Sequence, residues 1–115
     1  MKNVKTLVIK RSRWLRGESN SYLLRPKDKK MCCLGFYARA CGAQASDING
    51  YCAPSEYSGF PAWLLSDDFF AGPACSSAAY KLMRANDSVN KTDKQREKII
   101  KAEFKKRGVT VKFVP

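Results

Sequence analysis

The most constraining feature of the sequence is a capped helix that runs directly into an alternating strand over residues 92–114. The segment TDKQ (92–95) has the pattern of a capping box, with Thr at the N-cap and Gln three residues later. Three apolar residues supply the buried stripe of this helix: Ile99, Ile100 and Phe104. Gly108 ends it, and VTVKFV (109–114) then alternates as a strand does. Because a strand must pair with another strand, the rest of the chain has to provide a partner.

The N-terminal region offers two candidate partners. VKTLVIKRS (4–12) predicts a first strand with Leu7 and Ile9 on one side. Ser21–Arg25 predicts a second strand that Pro26 stops, and the turn residues of RGESNS (16–21) lie between the two. The pair is typical of a hairpin with a long connection.

The middle of the chain predicts two more helices and an irregular segment. Within Cys32–Cys41 the apolar residues follow helical spacing: Cys33, Phe36, Tyr37, Ala40 and Cys41. Gly42 suits the C-cap, and Gly35 suggests a helix packed closely against a neighbour. A further helix is predicted from Cys75 to about Asn86. Residues 43–73 are rich in turn chemistry and predict a long irregular segment packed by its own aromatic residues, with one short helical turn at 62–65.

The element order β-β-α-loop-α-α-β predicts a single α+β domain over residues 1–115. We expect a three-stranded, mainly antiparallel sheet with about three helices on one face. The N-terminus lacks the apolar stretch of a signal peptide, and no run approaches the roughly 20 apolar residues of a membrane span. A cytoplasmic protein is therefore predicted.

The charge of the chain is large and unevenly distributed. The net charge is +12, with +8 in residues 1–30, −3 in residues 31–80 and +7 in residues 81–115. Pairing the terminal strands would bring both basic ends together. Such a charge favours an anionic partner, which can be nucleic acid, a nucleotide signal or an acidic host protein. The alternative is a solvated basic surface that serves solubility alone.

The absence of histidine limits the chemistry that the chain can perform. The sequence contains no His and five Cys. Cys-His and Ser-His-Asp catalysis and every His-ligated metal site are therefore excluded. The cysteines lack the paired spacing of a zinc site, and the odd count and cytoplasmic context disfavour disulfides. We expect no metal, no cofactor and no enzymatic activity.

The cysteines in MCCLGFYARACG (31–42) leave two interpretations open. Cys33 and Cys41 share the apolar stripe of a predicted helix, which is typical of small buried side chains. Cys32 lies at the start of that helix beside Lys29 and Lys30, where a thiol pKa is lowered. The alternative function is therefore a thiol-dependent enzyme or redox sensor centred on Cys32.

The candidate contact site is KRSRWLRG (10–17), which interleaves basic residues with an indole. Arginine groups grip phosphate or carboxylate, and an exposed Trp stacks on a base. The candidate binding residues are Lys10, Arg11, Arg13, Trp14, Arg16 and Ser21. The competing interpretation places Trp14 in the core, with the arginines in solvent. A second basic feature is a lysine stripe on the last helix: Lys94, Lys98, Lys101 and Lys105.

Six segments taken together resemble a group of small proteins encoded by bacteriophages and prophages. In chain order they are RSRWLRG, SYLL, MCCLGFYARACG, LMRAND, TDKQRE and GVTVKFV. The W-x-R-G and MCCLG elements are the most specific, and residues 43–73 match least. The resemblance implies a phage accessory protein that acts in the host cytoplasm by binding, for example as an inhibitor of a bacterial defence system. It assigns a role to no individual residue.

Overall fold

The computed structural model describes residues 4–18, 22–52, 54–64 and 78–115. In these residues there are two strands, β1 (Thr6–Lys10) and β2 (Thr110–Val114). The α-helices are α1 (Cys33–Ala40), α2 (Ala45–Ile48), α3 (Ala78–Asp87) and α4 (Asp93–Lys105). Short 3-10 turns occur at Arg11–Arg13, Pro54–Glu56 and Ala62–Leu64. No described helix has the length and apolar character that crossing a membrane requires.

The two terminal strands pair with each other, but in parallel. Thr6 lies opposite Thr110, and the register continues to Lys10 opposite Val114. The predicted three-stranded, mainly antiparallel sheet is therefore wrong: the described residues form four helices and a two-stranded parallel sheet in a small α+β fold. Two parallel strands require a crossover connection, and helices α1 to α4 lie in that connection. The long path between the strands brings β2 back in the same direction as β1.

The predicted second strand is Ser21–Arg25; its described part, residues 22–25, does not belong to this sheet, and Ser21 lies outside the described residues. The Leu23 amide donates to the Tyr51 carbonyl at 2.7 Å, and the Cys32 amide donates to the Tyr22 carbonyl at 3.0 Å. Leu23 and Leu24 are both buried, so this segment lacks the exposed face of an edge strand. Its backbone hydrogen bonds go to loops on either side of it, and the expected hairpin with β1 does not form.

Three of the four described helices correspond to predicted helices, whereas α2 (Ala45–Ile48) lies in the 43–73 segment that was predicted to be irregular. The capping box of α4 is present: Thr92 Oγ1 accepts from the Gln95 amide at 3.2 Å, and Gln95 Oε1 accepts from the Thr92 amide at 2.9 Å. Helix α1 matches the Cys32–Cys41 prediction to within one residue at each end. Helix α3 matches from Ala78, and the predicted start at Cys75 lies outside the described residues.

The close approach that Gly35 predicted is confirmed. A β-carbon on this residue would lie within 3.0 Å of the Leu23 carbonyl group and of Met31 Cβ. Helix α1 therefore rests directly on the extended backbone around Leu23. Only a residue without a side chain fits between them.

Aromatic residues in the described part of the 43–73 segment pack against one another and against neighbouring helices. The ring centroids of Tyr37 and Trp63 are 5.7 Å apart, and those of Tyr57 and Phe60 are 5.1 Å apart. Trp63 also meets Phe104 of α4 at 6.0 Å. The predicted short helical turn is a 3-10 turn at Ala62–Leu64, and residues 65–73 lie outside the described residues.

Candidate anion-binding surface

The predicted contact segment, residues 10–17, begins at the last residue of β1 and continues alongside α4, to which it is joined by ion pairs. A 3-10 turn at Arg11–Arg13 directs Trp14 inward, next to Met31. The Leu15 amide donates to the Met31 carbonyl at 2.8 Å, and the Met31 amide donates to the Arg13 carbonyl at 3.0 Å. These bonds fix the backbone of the segment against the chain that precedes α1.

Two arginines of this segment form bidentate ion pairs with α4. Arg11 donates from Nε and Nη2 to the Glu97 carboxylate at 2.9 and 2.8 Å. Arg16 donates from Nε and Nη2 to the Asp93 carboxylate at 3.2 and 2.8 Å. The Arg16 guanidinium holds the pKa of Asp93 below its usual value, with a further contribution from Arg96. Arg11 and Arg16 therefore join two parts of the protein, and their planar groups are already matched to carboxylates.

Trp14 belongs to the core. Its side chain is 1% exposed, and its Nε1 donates to Asn86 Oδ1 at 2.7 Å. The Phe113 ring lies 4.8 Å away between centroids, and the Arg16 guanidinium carbon lies 4.8 Å from the Trp14 ring centroid. An indole enclosed in this way does not offer a face for base stacking.

The remaining candidates of the segment differ in their surroundings. Lys10 and Arg13 are exposed. Arg13 Nη2 donates to the Lys29 carbonyl at 3.1 Å, which leaves its charge without a carboxylate among the described residues. Ser21 lies outside the described residues. Within the described residues of KRSRWLRG, only Lys10 and Arg13 direct uncompensated side-chain charge to solvent.

The cysteines of α1 are packed into the core. Cys32 is at the N-cap and only 3% exposed, while Cys33 is fully buried. Burial raises the pKa of Cys33 well above its usual value and also raises the pKa of Cys41. Such burial opposes attack by Cys32 on a substrate. None of the four described cysteines forms a disulfide. No group of three His, Cys, Asp or Glu residues in the described ranges is placed to hold a metal ion.

Alkylation should show this burial directly. We expect iodoacetamide at neutral pH to modify Cys52, which is exposed, before Cys32, Cys33 or Cys41. Desolvation and the Glu56 carboxylate raise the pKa of Cys52, so even this thiol should react more slowly than a free cysteine. Peptide mass spectrometry of a time course locates the labels. Early modification of Cys32 in the native protein would restore the thiol-dependent alternative.

The lysine stripe of α4 is the largest described run of unpaired charge. Lys94, Lys98, Lys101 and Lys105 are all exposed, and none of them forms an ion pair with a described carboxylate. The spacing places their side chains along one face of the helix. The buried residues of the same helix, among them Ile100 and Phe104, lie on another face. The stripe therefore faces solvent along the full length of α4.

The acidic residues of α4 cannot neutralise this stripe because they are already occupied. Asp93 and Glu97 bind the arginines of the N-terminal segment. Glu103 Oε1 accepts from Lys106 Nζ at 3.0 Å and lies 4.0 Å from Lys81 Nζ. The arginines of the N-terminal segment are therefore paired with carboxylates of α4, whereas the lysines of the stripe remain exposed to solvent.

A groove of about 390 Å³ borders the stripe. It lies between the second half of α4 and the start of β2, and its lining includes Lys101, Lys105 and residues 109–111. The Lys101 Nζ is also 5.8 Å from the centroid of the Phe113 ring on β2. The stripe and the groove together form the candidate anion-binding surface. Sequence reasoning found the stripe from its spacing but not the groove, because no local signal places β2 beside α4.

Comparison of the chain with protein-family models, with curated proteins and with solved structures finds no match. Function is therefore inferred from the chain's own residues.

Proposed function

We propose that this protein acts by binding, without catalysis, and that its partner is a nucleic acid held against the lysine stripe of α4. The observation that supports this most directly is the set of four exposed lysines without carboxylate partners among the described residues. Lysine ammonium groups contact phosphates as point charges and release counterions when they do so. Arg11 and Arg16, the arginines of the predicted contact segment that form bidentate pairs, are already engaged with carboxylates of α4.

The length of the stripe favours an extended polyanion. From Lys94 to Lys105 the helix rises about 16 Å, at 1.5 Å per residue. A strand of a B-form duplex carries one phosphate per roughly 3.4 Å of duplex axis, so the length of the stripe corresponds to about five successive phosphates in axial projection. A single small anion would use only part of such a row.

The burial of the aromatic residues favours the backbone of a duplex over splayed bases. Single strands are held largely by stacking on exposed aromatic side chains. Trp14 and Phe104 are buried, and the exposed large apolar side chains of the described residues, Val8, Tyr51 and Val89, all lie outside α4. Contacts to phosphate alone carry no sequence preference, so the binding should be insensitive to sequence.

The resemblance to phage proteins supplies a biological setting for such binding. An accessory protein made in the host cytoplasm that covers a stretch of duplex would compete with a host defence complex for that same duplex. An inhibitor of this kind requires no active site.

The test is fluorescence anisotropy with a short labelled DNA duplex over a range of salt concentrations. The triple variant Lys94→Gln, Lys98→Gln, Lys105→Gln removes three charges from the stripe and leaves Lys101 in contact with Phe113. We expect its affinity to fall by more than about tenfold and its salt slope to fall by roughly 3, at about 0.9 per phosphate contact.

The matched control removes three exposed lysines elsewhere: Lys5→Gln, Lys27→Gln, Lys29→Gln. Its affinity and slope should stay closer to those of the unmodified protein. Equal losses in both triples would show only a general attraction by net charge. The absence of duplex binding by the unmodified protein would refute the proposal.

A further inference from the structure

A second, separate cleft lies between α3 and α4. It has a volume of about 260 Å³ and opens to solvent on the side of α4 away from the lysine stripe. Helix geometry of about 100° per residue places Ile99 and Glu103 roughly 140–180° around the axis from Lys94. Any ligand of this cleft is therefore held by different residues from those of the stripe.

Three cations converge on this cleft. Lys81 and Arg84 come from successive turns of α3, and Lys91 comes from the connection that leads to α4. Neither Arg84 nor Lys91 has a carboxylate partner among the described residues. The one carboxylate of the lining, Glu103, lies closer to Lys106 than to Lys81. The cleft thus has an excess of positive charge.

The floor beside these cations is apolar. Ala85 is buried, and Ile99 packs against the hydrophobic core from the opposite helix. The Tyr80 ring stands at the edge, where its hydroxyl accepts from Arg84 Nη1 at 3.4 Å. An apolar floor flanked by an aromatic ring suits a flat, weakly polar group, and the cations suit a phosphate. These two properties together define the chemistry of the ligand.

We propose that the α3–α4 cleft binds a nucleoside monophosphate or a ligand of that class, with the ring against Ile99 and the phosphate between Arg84 and Lys91. The volume lies just below the roughly 300 Å³ at which ligand pockets usually begin, so the ligand is small. Arg84 supplies a planar donor pair, and Lys91 supplies a point charge, both directed at phosphate oxygens. This site is independent of nucleic-acid binding by the lysine stripe.

Isothermal titration calorimetry with adenosine 5′-monophosphate tests the site, with adenosine and inorganic phosphate as comparison probes. We expect saturable one-to-one binding of the monophosphate, and weaker binding of both fragments. The variant Arg84→Glu, Lys91→Glu should lose roughly tenfold or more in affinity because it replaces both phosphate contacts. The control Lys5→Glu, Lys27→Glu changes the net charge equally at two exposed lysines outside both the cleft and the stripe, and it should retain most of the affinity.

Three results would overturn the proposal. The first is that binding of the monophosphate does not saturate. The second is that both charge-reversal variants lose affinity equally. The third is that inorganic phosphate binds as tightly as the nucleotide. The last two would mean that general charge, rather than this cleft and its apolar floor, determines binding. Because the stripe variants are assayed against duplex DNA separately, failure of one site leaves the test of the other intact.

Discussion

Replacing Gly35 by Ala is expected to lower the free energy of unfolding by about 3 kcal/mol or more, at the upper end of what overpacking costs. The new methyl group would fall within 3.0 Å of the Leu23 carbonyl group, which is backbone and cannot rotate away. Either α1 or the segment around Leu23 must then move. Urea denaturation, followed by circular dichroism, measures the change.

The effect of Gly→Ala on local helix stability has the opposite sign to this loss, so the direction of the change in the free energy of unfolding separates the two effects. In an exposed helix, Gly→Ala stabilises by about 1 kcal/mol through helix propensity. The matched control is Gly42→Ala, where φ is +109° but nothing lies within 4 Å of the added methyl. It should cost only about 1–2 kcal/mol of backbone strain. A Gly35→Ala variant that is more stable than the unmodified protein would contradict the packing described here.

Asn86→Ala is the second substitution with a large expected effect. The Asn86 side chain is fully buried and joins three elements. Its Oδ1 accepts from Trp14 Nε1 at 2.7 Å and from the Cys33 amide at 3.1 Å, and its Nδ2 donates to the Leu15 carbonyl at 2.9 Å. Alanine would leave all three partners buried without their bonds. At about 1–3 kcal/mol for each orphaned group, we expect a loss of roughly 3–5 kcal/mol in the free energy of unfolding.

The control for this variant is Asn49→Ala, an exposed asparagine at the end of α2. Surface substitutions of this kind usually change stability by less than about 0.5 kcal/mol. Denaturant midpoints for both variants are compared with that of the unmodified protein. If Asn86→Ala cost no more than Asn49→Ala, the three buried hydrogen bonds would not contribute to stability as described.

Local patterns predicted α1, α3 and α4 because apolar spacing and end signals mark them, whereas α2, only four residues long, was missed. The capping box at Thr92 and the glycine at 108 bound α4, and Gly42 follows α1. The sheet was predicted wrongly because its topology depends on the path of residues between the strands. Leu23 and Leu24 looked like a strand, but both are buried against loops, and nothing nearby in the sequence indicates this.

The candidate site was predicted in part for a similar reason. Lysine spacing along α4 is a local signal, and the stripe is exposed as that spacing indicated. The roles of Arg11 and Arg16 depend on Glu97 and Asp93, which lie far along the chain. A basic segment therefore looked like a contact surface, although two of its three arginines are paired with carboxylates within the fold. Asn86 looked like a helix-ending residue and gave no sign of its bond to Trp14.

The parallel pairing of the first and last strands has a consequence for synthesis. During translation β1, which ends at Lys10, leaves the ribosome well before its described pairing partner, β2, which begins at Thr110. Leu7 and Ile9 therefore lack their strand partner while the intervening helices are being synthesised. Contacts between residues so far apart in sequence also slow folding in general. The sheet is completed only after residues 11–109 and β2 itself have been made, so products truncated before Thr110 should expose an apolar strand to chaperones and proteases.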